Sequence, residues 1–572
     1  MSERTTVGLF FRQAERYGDR TLVRHHDGQA WQPHSWREMS ELSLRVAARL
    51  VAEGVQAGDR VGIMADNRLE WLYCDLAIQA AGAVTVPIYP STPARTAQTI
   101  AEDAGLELAF VDDALRDRLR LDKLVAFDAD LPAWVAGEAD PELLAEVEER
   151  AAGVTPDDLA TLVYTSGTTG VPKGVMLPHR CFVDMAHSAL QVFDIGPDDE
   201  SLSFLPYAHV FERINGVFVG LAAGGSTWIA RGVPKLVEDL AECRPTVMVS
   251  VPRVYEKMHQ QVMAVVRELP GRRRAIFNWA MGQGRRRMRG QRALLYPLAD
   301  RLVLRSLRRR LTGGRMRFFV SGGAPLSAEV ESFFWALGVK ILNGWGMTET
   351  ASGATSNTEE RHRFETVGPP LPGVEIRIAD DGEILVRSPG NMTGYYHNPE
   401  ATAETLDDGW VRTGDIGELD DGFLRITDRK KELLKTAGGK FVAPAPMETR
   451  LMQDAAIERA VVIGDERPYV TALVVPDWKT LEVEHGVTGR PEELLDDERA
   501  RTAVQRSIDE LNRDLGSWET IKYFALLPHD FTEEGGELTP TLKVKRRVVQ
   551  ERYRDRIETL YQGKVRPPTG AH

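Results

Sequence analysis

Residues 162–174 read Leu162-Val163-Tyr164-Thr165-Ser166-Gly167-Thr168-Thr169-Gly170-Val171-Pro172-Lys173-Gly174. An apolar run feeds a loop of glycines and hydroxyl side chains. Glycine lets the backbone approach a phosphate and turn its N–H groups towards it. The hydroxyls add neutral donors and Lys173 adds a charge. The loop is not a Walker A loop, because that pattern requires Ser or Thr after the lysine and here Gly174 follows.

The surroundings of this loop read as an α/β chain. Residues 37–54 carry apolar side chains at helical spacing, with Gly54 as a stop. Val61-Gly62-Ile63-Met64 reads as a buried strand, 71–83 as a helix and 84–88 as the next strand. This alternation predicts a mostly parallel sheet covered by helices, and it recurs through 160–250 and 317–343. From Pro372 the texture changes. Asp381-Gly382, Asp408-Gly409 and Asp421-Gly422 punctuate short apolar runs, which predicts a small antiparallel unit. A charged junction opens at Asp428, and enough chain follows for a separate α+β domain. The expected division is a large N-terminal domain over 1–427, a hinge over 428–433 and a smaller, mobile C-terminal domain over 434–572.

The composition narrows the function. The chain has 572 residues, 43% of them hydrophobic and 27% charged, as a soluble globular protein does. Its net charge of −13 argues against general nucleic-acid binding. Cys74, Cys181 and Cys243 form no CxxC pair and read as reduced thiols. The N-terminus lacks the apolar run of a signal peptide. The uncharged stretch between Arg213 and Arg231 is short and glycine-rich for a membrane span, so it reads as a buried strand and helix. The expected location is the cytoplasm. Residues 271–317 stand apart, with fifteen arginines, no lysine and one acid, Asp300. Leu304, Leu307 and Leu311 recur there at helical spacing, which predicts an amphipathic helical stretch with a basic face. That face could meet the headgroups of a membrane surface.

Further motifs fall in a defined order. Asn343-Gly344-Trp345-Gly346-Met347-Thr348-Glu349 joins small residues, an aromatic and a carboxylate. The glycines would admit a flat ligand, and Glu349 could hold Mg2+, a hard cation that takes oxygen ligands. Ser321-Gly322-Gly323-Ala324-Pro325 follows the strand-like Phe318-Phe319-Val320, where open α/β sheets bind ligands. Arg412-Thr413-Gly414-Asp415 precedes the junction. A carboxylate such as Asp415 can accept from both hydroxyls of a ribose.

The loop at 164–174 resembles the phosphate-binding signature of the adenylate-forming enzymes, which include acyl-CoA synthetases, luciferases and peptide-synthetase adenylation domains. The resemblance spans about residues 10–550. Within that superfamily LPYAHVFER (205–213), VPRVYEKM (251–258), SGGAPLS (321–327) and AGGKFVAPAPME (437–448) look most like long-chain fatty-acid–CoA ligases. The resemblance implies ATP, Mg2+ and CoA as reactants and cofactor. Thr165, Ser166, Gly167, Thr168, Thr169, Gly170 and Lys173 would hold the phosphates, with Thr168 and Glu349 at the metal. Gly322, Gly323 and Ala324 would wall adenosine and the acyl channel, and residues 343–348 would contact adenine. Asp415 would take the ribose with Arg429 assisting, and Lys431 would be the hinge residue. Gly438 and Gly439 would border the pantetheine tunnel. His209 would flank the acyl carboxylate. The catalytic lysine falls at Lys543, with Lys545 as the competing position. Some relatives place an aromatic gate four residues after this histidine. Arg213 stands there, so a tryptophan gate is not carried over.

The implied reaction activates a long-chain or medium-chain fatty acid as acyl-AMP and then transfers it to CoA. It needs no protein nucleophile. Two readings compete. A fatty-acyl-AMP ligase, or an adenylation enzyme serving a carrier protein, would stop short of CoA. A non-catalytic adaptor on a membrane surface would use only the arginine-rich stretch.

Overall fold

A computed structural model describes residues 1–166, 172–430, 432–438, 440–532, 535–538 and 544–562. Two large sheets hold the strands from Thr21 to Ser356 together with Gly394–Tyr395. One has seven strands, in the order Gly394–Tyr395, Pro172–Pro178, Leu159–Ser166, Val84–Ile88, Arg60–Met64, Leu108–Val111 and Lys123–Ala126. Its inner pairings are parallel, and the two at the Gly394–Tyr395 edge are antiparallel. The other has eight strands, in the order Thr355–Ser356, Lys340–Trp345, Phe318–Ser321, Val247–Ser250, Glu200–Ser203, Ser226–Ile229, Thr21–His26 and Trp31–Ser35. It is parallel except at its two edges. The predicted β-α-β alternation is therefore present, and the fold is mixed α/β.

Local sequence explains the element ends. The helix Trp36–Ala52 begins where the Ser35 hydroxyl accepts the Glu38 N–H at 3.1 Å. It ends before Gly54, whose φ of +92° suits glycine. The helix Leu69–Ala80 is buried on nearly every side, so its one inward acid, Asp75, needs partners. The stretch after Arg213 is, as predicted, a helix and a strand. Phe211–Phe218 is a π-helical segment continuing into Val219–Ala223, and Ser226–Ile229 follows.

Residues 375–429 form a five-stranded sheet in which Trp410–Asp420 pairs with Glu383–Arg387, Leu406–Asp407 and Phe423–Arg429. Asp408-Gly409 turns the antiparallel pair at 406–411, and Asp421-Gly422 also joins adjacent strands. All four of these turn residues have positive φ, as a two-residue hairpin loop demands.

The chain divides into two compact units. The first comprises Met1–Arg377, Leu385–Thr413 and Leu419–Leu424, and the second Ile378–Ile384, Gly414–Glu418 and Arg425 onward. The second unit has its own core around a three-stranded sheet, Ile457–Ile463, Val470–Pro476 and Ile521–Leu526, first antiparallel and then parallel. Among the described residues no helix is long and apolar enough to cross a membrane. Cys74, Cys181 and Cys243 are buried thiols.

Candidate active site

In the first unit two paired strands flank the segment of the predicted phosphate loop. Leu159–Ser166 and Pro172–Pro178 pair antiparallel, with Thr165 opposite Lys173 and Tyr164 opposite Gly174. Gly167, Thr168, Thr169 and Gly170 lie outside the described residues. The base of the loop is braced on one side by Tyr164, whose hydroxyl donates to Asp103 Oδ2 at 2.6 Å. A Cβ on Gly174 would come within 3.0 Å of the Tyr164 ring, so this position must stay small.

Lys173 and Glu349, assigned to phosphate and metal, are joined by a residue that the sequence reading missed. Lys173 Nζ lies 5.1 Å from the centroid of the Tyr395 ring. The Tyr395 hydroxyl donates to Glu349 Oε1 at 2.7 Å. Burial, with the nearby Glu349 charge, raises the phenol and keeps it a donor. Glu349 is buried in a short turn, Thr348–Thr350, and its carbonyl accepts the Met392 N–H at 2.9 Å. The signal for Tyr395 was faint. It lies in Gly394-Tyr395-Tyr396, a two-residue edge strand beside Val175 and Met176.

The glycines around Glu349 have a packing reason different from the expected one. A Cβ on Gly346 would meet the Ser352 carbonyl at 1.8 Å, and one on Gly344 the Thr355 carbonyl at 2.9 Å. Their smallness admits the antiparallel strand Thr355–Ser356 and the turn before it, not primarily a flat ligand. Asn343 pairs in register with Ser321, and its buried Oδ1 has no hydrogen-bond partner among the described residues. Such an acceptor, at the end of parallel strands, suits a ligand N–H. Trp345, Met347 and Thr348 continue the segment.

The Ser321–Ala324 turn and the His209 segment do come together. A Cβ on Gly322 would touch the Phe211 ring at 2.9 Å, while Gly323 has φ of +84°. His209 Nδ1 accepts the Phe211 N–H at 3.0 Å, which assigns the ring proton to Nε2. Its ring faces that of Tyr89, centroids 6.5 Å apart.

Arg213, at the position of the absent gate, is only 1% exposed. Its Nε donates to Asp75 Oδ2 at 3.0 Å, its Nη2 to Asp75 Oδ1, and its Nη1 to Thr161 Oγ1 at 2.8 Å. Thr161 lies on the strand leading into the phosphate loop. Gln79 Nε2 and Thr85 Oγ1 also donate to Asp75 Oδ1, at 2.8 and 2.7 Å. Glu212 next to it is equally buried and accepts from Ser203 Oγ at 2.5 Å. Burial pushes its carboxyl up to about 8, and Oε2 has no partner among the described residues.

The second unit holds the remaining candidates. Arg429 Nε donates to Asp415 Oδ1 at 2.9 Å, so the guanidinium fixes the carboxylate assigned to ribose. Beside it Asp428 is buried and pushed up to about 6. Gly438 is exposed between the strands Leu434–Lys435 and Phe441–Val442, and a Cβ there would meet only Thr436 Oγ1 at 3.9 Å. Lys431, Gly439 and Lys543 lie outside the described residues. Lys545 caps the helix Arg546–Arg552, and its N–H donates to the Glu537 carbonyl at 2.7 Å. Arg546, three residues after Lys543, pairs with Glu448 through Nη1–Oε1 at 2.8 Å and Nη2–Oε2 at 3.0 Å. The sequence reading did not single out this anchor.

The family model of AMP-binding enzymes matches residues 10–396, and that of the AMP-binding enzyme C-terminal domain matches 431–565. The chain belongs to the AMP-binding enzymes. The adenylate-forming resemblance thus holds over both domains of the family. The chain is 38% identical to a long-chain-fatty-acid–CoA ligase, FadD15, of Mycobacterium bovis, over 93% of this chain and 92% of that one. It is 32% identical to long-chain-fatty-acid–CoA ligase 1 of Homo sapiens, over 93% and 83%. Among solved structures, it is similar to the A domain of a carboxylic acid reductase from Segniliparus rugosus, in complex with AMP and a co-purified carboxylic acid. The TM-score is 0.75, with 25% identity over 98% of this chain and 94% of that one. A Mycobacterium tuberculosis fatty acyl CoA synthetase shares the fold, with a TM-score of 0.65, 22% identity and coverage of 97% and 99%.

Two expected outcomes follow from this geometry. Arg213→Met leaves Asp75 buried without its counter-charge, and urea denaturation is expected to show a loss of about 3–5 kcal/mol. Adding Asp75→Leu should recover part of that loss. Equal stability of the single variant and wild type would refute the network. For Glu212 the unfolded chain releases the proton near its ordinary value and the native protein only near 8. Its stabilising contribution is therefore full in acid and falls as pH rises towards about 8. Glu212→Gln should remove this fall, measured as a smaller drop in Tm from about pH 5 to about pH 8.

Proposed function

We propose that the protein activates a long-chain fatty acid with ATP and transfers the acyl group to CoA, releasing AMP and pyrophosphate. The observation that carries this reading is the likeness over nine-tenths of the chain to enzymes named long-chain-fatty-acid–CoA ligases. The first step joins a carboxylate oxygen to the α-phosphorus and expels pyrophosphate. Two anionic partners must meet, so charge neutralisation and orientation dominate the catalysis. Lys173 and residues 165–170 hold the leaving phosphates. Glu349, oriented by Tyr395, presents one carboxylate oxygen. A single carboxylate suits Mg2+, which binds through one or two protein carboxylates together with substrate phosphates. The ion, when bound, supplies positive charge at the phosphate oxygens.

Asn343 Oδ1 accepts from the adenine amino group, and Asp415, fixed by Arg429, takes the ribose. His209 lies beside the acyl carboxylate. Lys543 neutralises the charge that builds between carboxylate and α-phosphate. The thiol of CoA then attacks the acyl carbon and AMP leaves. Gly438 and Gly439 leave room for the narrow pantetheine arm. In this reading the segment after residue 427 turns about Lys431, bringing Lys543 to the first step and residues 438–440 to the second. The enzyme works in the cytoplasm, where ATP and CoA are available. The arginine-rich stretch 271–317 gives it a contact with a membrane surface.

Product analysis tests this reading. With Mg-ATP, CoA and acids from octanoate to oleate, equal yields of AMP, pyrophosphate and acyl-CoA are expected. Pyrophosphate without acyl-CoA would instead mark an acyl-AMP ligase. Lys543→Ala should slow adenylation by about 100-fold or more and spare thioester formation from supplied acyl-adenylate. Lys545→Ala should leave adenylation intact. The reverse pattern would move the catalytic role to Lys545.

A further inference from the structure

One amide side chain reaches the segment of His209 from the other large sheet. Asn67 follows the strand Arg60–Met64 of the seven-stranded sheet, and Leu205 lies just beyond the strand Glu200–Ser203 of the eight-stranded one. Asn67 Nδ2 donates to the Leu205 carbonyl at 2.7 Å, and Asn67 Oδ1 accepts the Tyr207 N–H at 2.9 Å. A carboxamide carries donor and acceptor side by side, so one side chain can engage a carbonyl and an N–H of the same chain together. The two bonds straddle Pro206, whose own carbonyl accepts the His209 N–H at 2.9 Å. Asn67 therefore brackets the residue that opens the turn 206–209, and His209 closes that turn.

The bracket is itself held. The residues on either side of Asn67 share one carboxylate. The Asp66 N–H donates to Asp112 Oδ2 at 2.8 Å, and Arg68 Nη1 donates to Asp112 Oδ1 at 3.0 Å. Arg68 Nη2 also donates to Asp128 Oδ1 at 2.6 Å. In the helix that follows, Trp71 packs against the Tyr207 ring, with centroids 5.4 Å apart. The loop on the far side of the imidazole is pinned as well. Arg118 Nη1 donates to the Pro90 and Thr92 carbonyls at 2.7 and 3.1 Å, beside the Tyr89 ring that His209 faces. Tyr89 meets the ring, and Asn67 fixes the turn that carries it.

We propose that Asn67 is a positioning residue for acyl activation: through the turn 206–209 it aims the His209 imidazole at the fatty-acid carboxylate. Alignment of reacting groups is worth this much structure, because a misplacement of about 1 Å can cost about 100-fold in rate. A segment that leaves a strand end would otherwise let the ring wander, and the amide replaces that freedom with a fixed register. The role calls for an asparagine and not an aspartate, since an ionised carboxylate has no donor for the Leu205 carbonyl. This inference rests on the assignment of His209 to the acyl carboxylate in the proposed reaction and names what holds it there.

Steady-state kinetics of the full chain with oleate, Mg-ATP and CoA test this role. Asn67→Ala and Asn67→Asp should each lower kcat/KM for oleate at least about tenfold and leave KM for ATP within about twofold. Because Asn67 acts through His209, His209→Ala should lose at least as much, and Asn67→Ala added to His209→Ala should lose nothing further. Losses that multiply in the double variant, a matching rise in KM for ATP, or an unchanged kcat/KM in both Asn67 variants overturns the proposal. Full activity of His209→Ala refutes the assignment of His209, and this role with it. Nitrogen NMR reads the ring without turnover, its signals assigned by their loss in His209→Gln. Asn67→Asp keeps the acceptor for the Tyr207 N–H and should still shift the His209 ring signals. If the wild type makes no acyl-CoA from any acid between octanoate and oleate, the ligase reading fails and the ring signals alone decide. His209 signals unchanged in both Asn67 variants would then overturn the placement.

Discussion

A guanidinium and a carboxylate out of water are the constraint around which the first unit is arranged. Arg213 and Asp75 are each almost fully buried, and neither could be charged there alone. Asp75 belongs to the helix Leu69–Ala80, Arg213 to the π-helical segment 211–218, and Thr161 to the strand that leads into the phosphate loop. One ion pair and its hydrogen bonds therefore fix three elements that sequence keeps far apart. The polar chain continues inward from Gln79 to Thr6, whose hydroxyl lies 2.6 Å from His179 Nδ1. Burial pushes His179 down to about 4, so it serves this network as a neutral ring. Apolar residues of equal volume could hold these elements as tightly. The polar solution adds direction, because each donor matches one acceptor only in one register.

The π-helical segment turns that constraint into a site. Successive side chains of residues 211–215 reach different partners. Phe211 covers Gly322, Glu212 accepts from Ser203, Arg213 holds Asp75, and Asn215 Nδ2 donates to Ser352 Oγ at 2.8 Å. Ser352 follows the Glu349 turn with φ of +75°. The Arg213 N–H returns to the His209 carbonyl at 3.0 Å. A π-helical turn is wider than an α-helical one and costs stability, and such turns concentrate at functional sites. Here it sets the loop strand, the Ser321–Ala324 turn, the Glu349 turn and His209 in fixed relation. Arg213 fastens the loop strand through Thr161, while Phe211 and Asn215 reach the two turns.

Short-range chemistry was legible in the sequence and long-range chemistry was not. Asp408-Gly409 and Asp421-Gly422 announce hairpins because the positive φ they need is a local property. The strands 60–64 and 84–88 announce themselves because both faces are apolar. Leu304 and Leu311 were correctly read as the inner face of an amphipathic run. Tyr395 was invisible, because its value lies in touching Glu349 and Lys173, segments 46 and more than 200 residues away. Asp75 was hidden by an apolar helix that gave no hint of a partner. Gly344 and Gly346 were read as clearance for a ligand, whereas a neighbouring strand and the turn before it occupy the space where their side chains would be. A glycine declares that something comes close, not what.

The second unit solves a different problem. In the proposed reading its lysine, Lys543, acts in one half-reaction and leaves for the other. What the structure shows among the described residues that follow it is an anchor. Arg546 is half-buried against Glu448, and Glu448 Oε1 also accepts the Val462 N–H at 2.7 Å. The anchor therefore runs from the helix Arg546–Arg552 through the helix Pro444–Leu451 to the three-stranded sheet. In the proposed reading the whole unit carries Lys543 from this anchor. The energetic argument favours this arrangement over a lysine kept permanently beside the loop. An ammonium always present at the phosphates would strengthen binding of ATP and of the transition state alike. Only the interaction gained at the transition state accelerates the step.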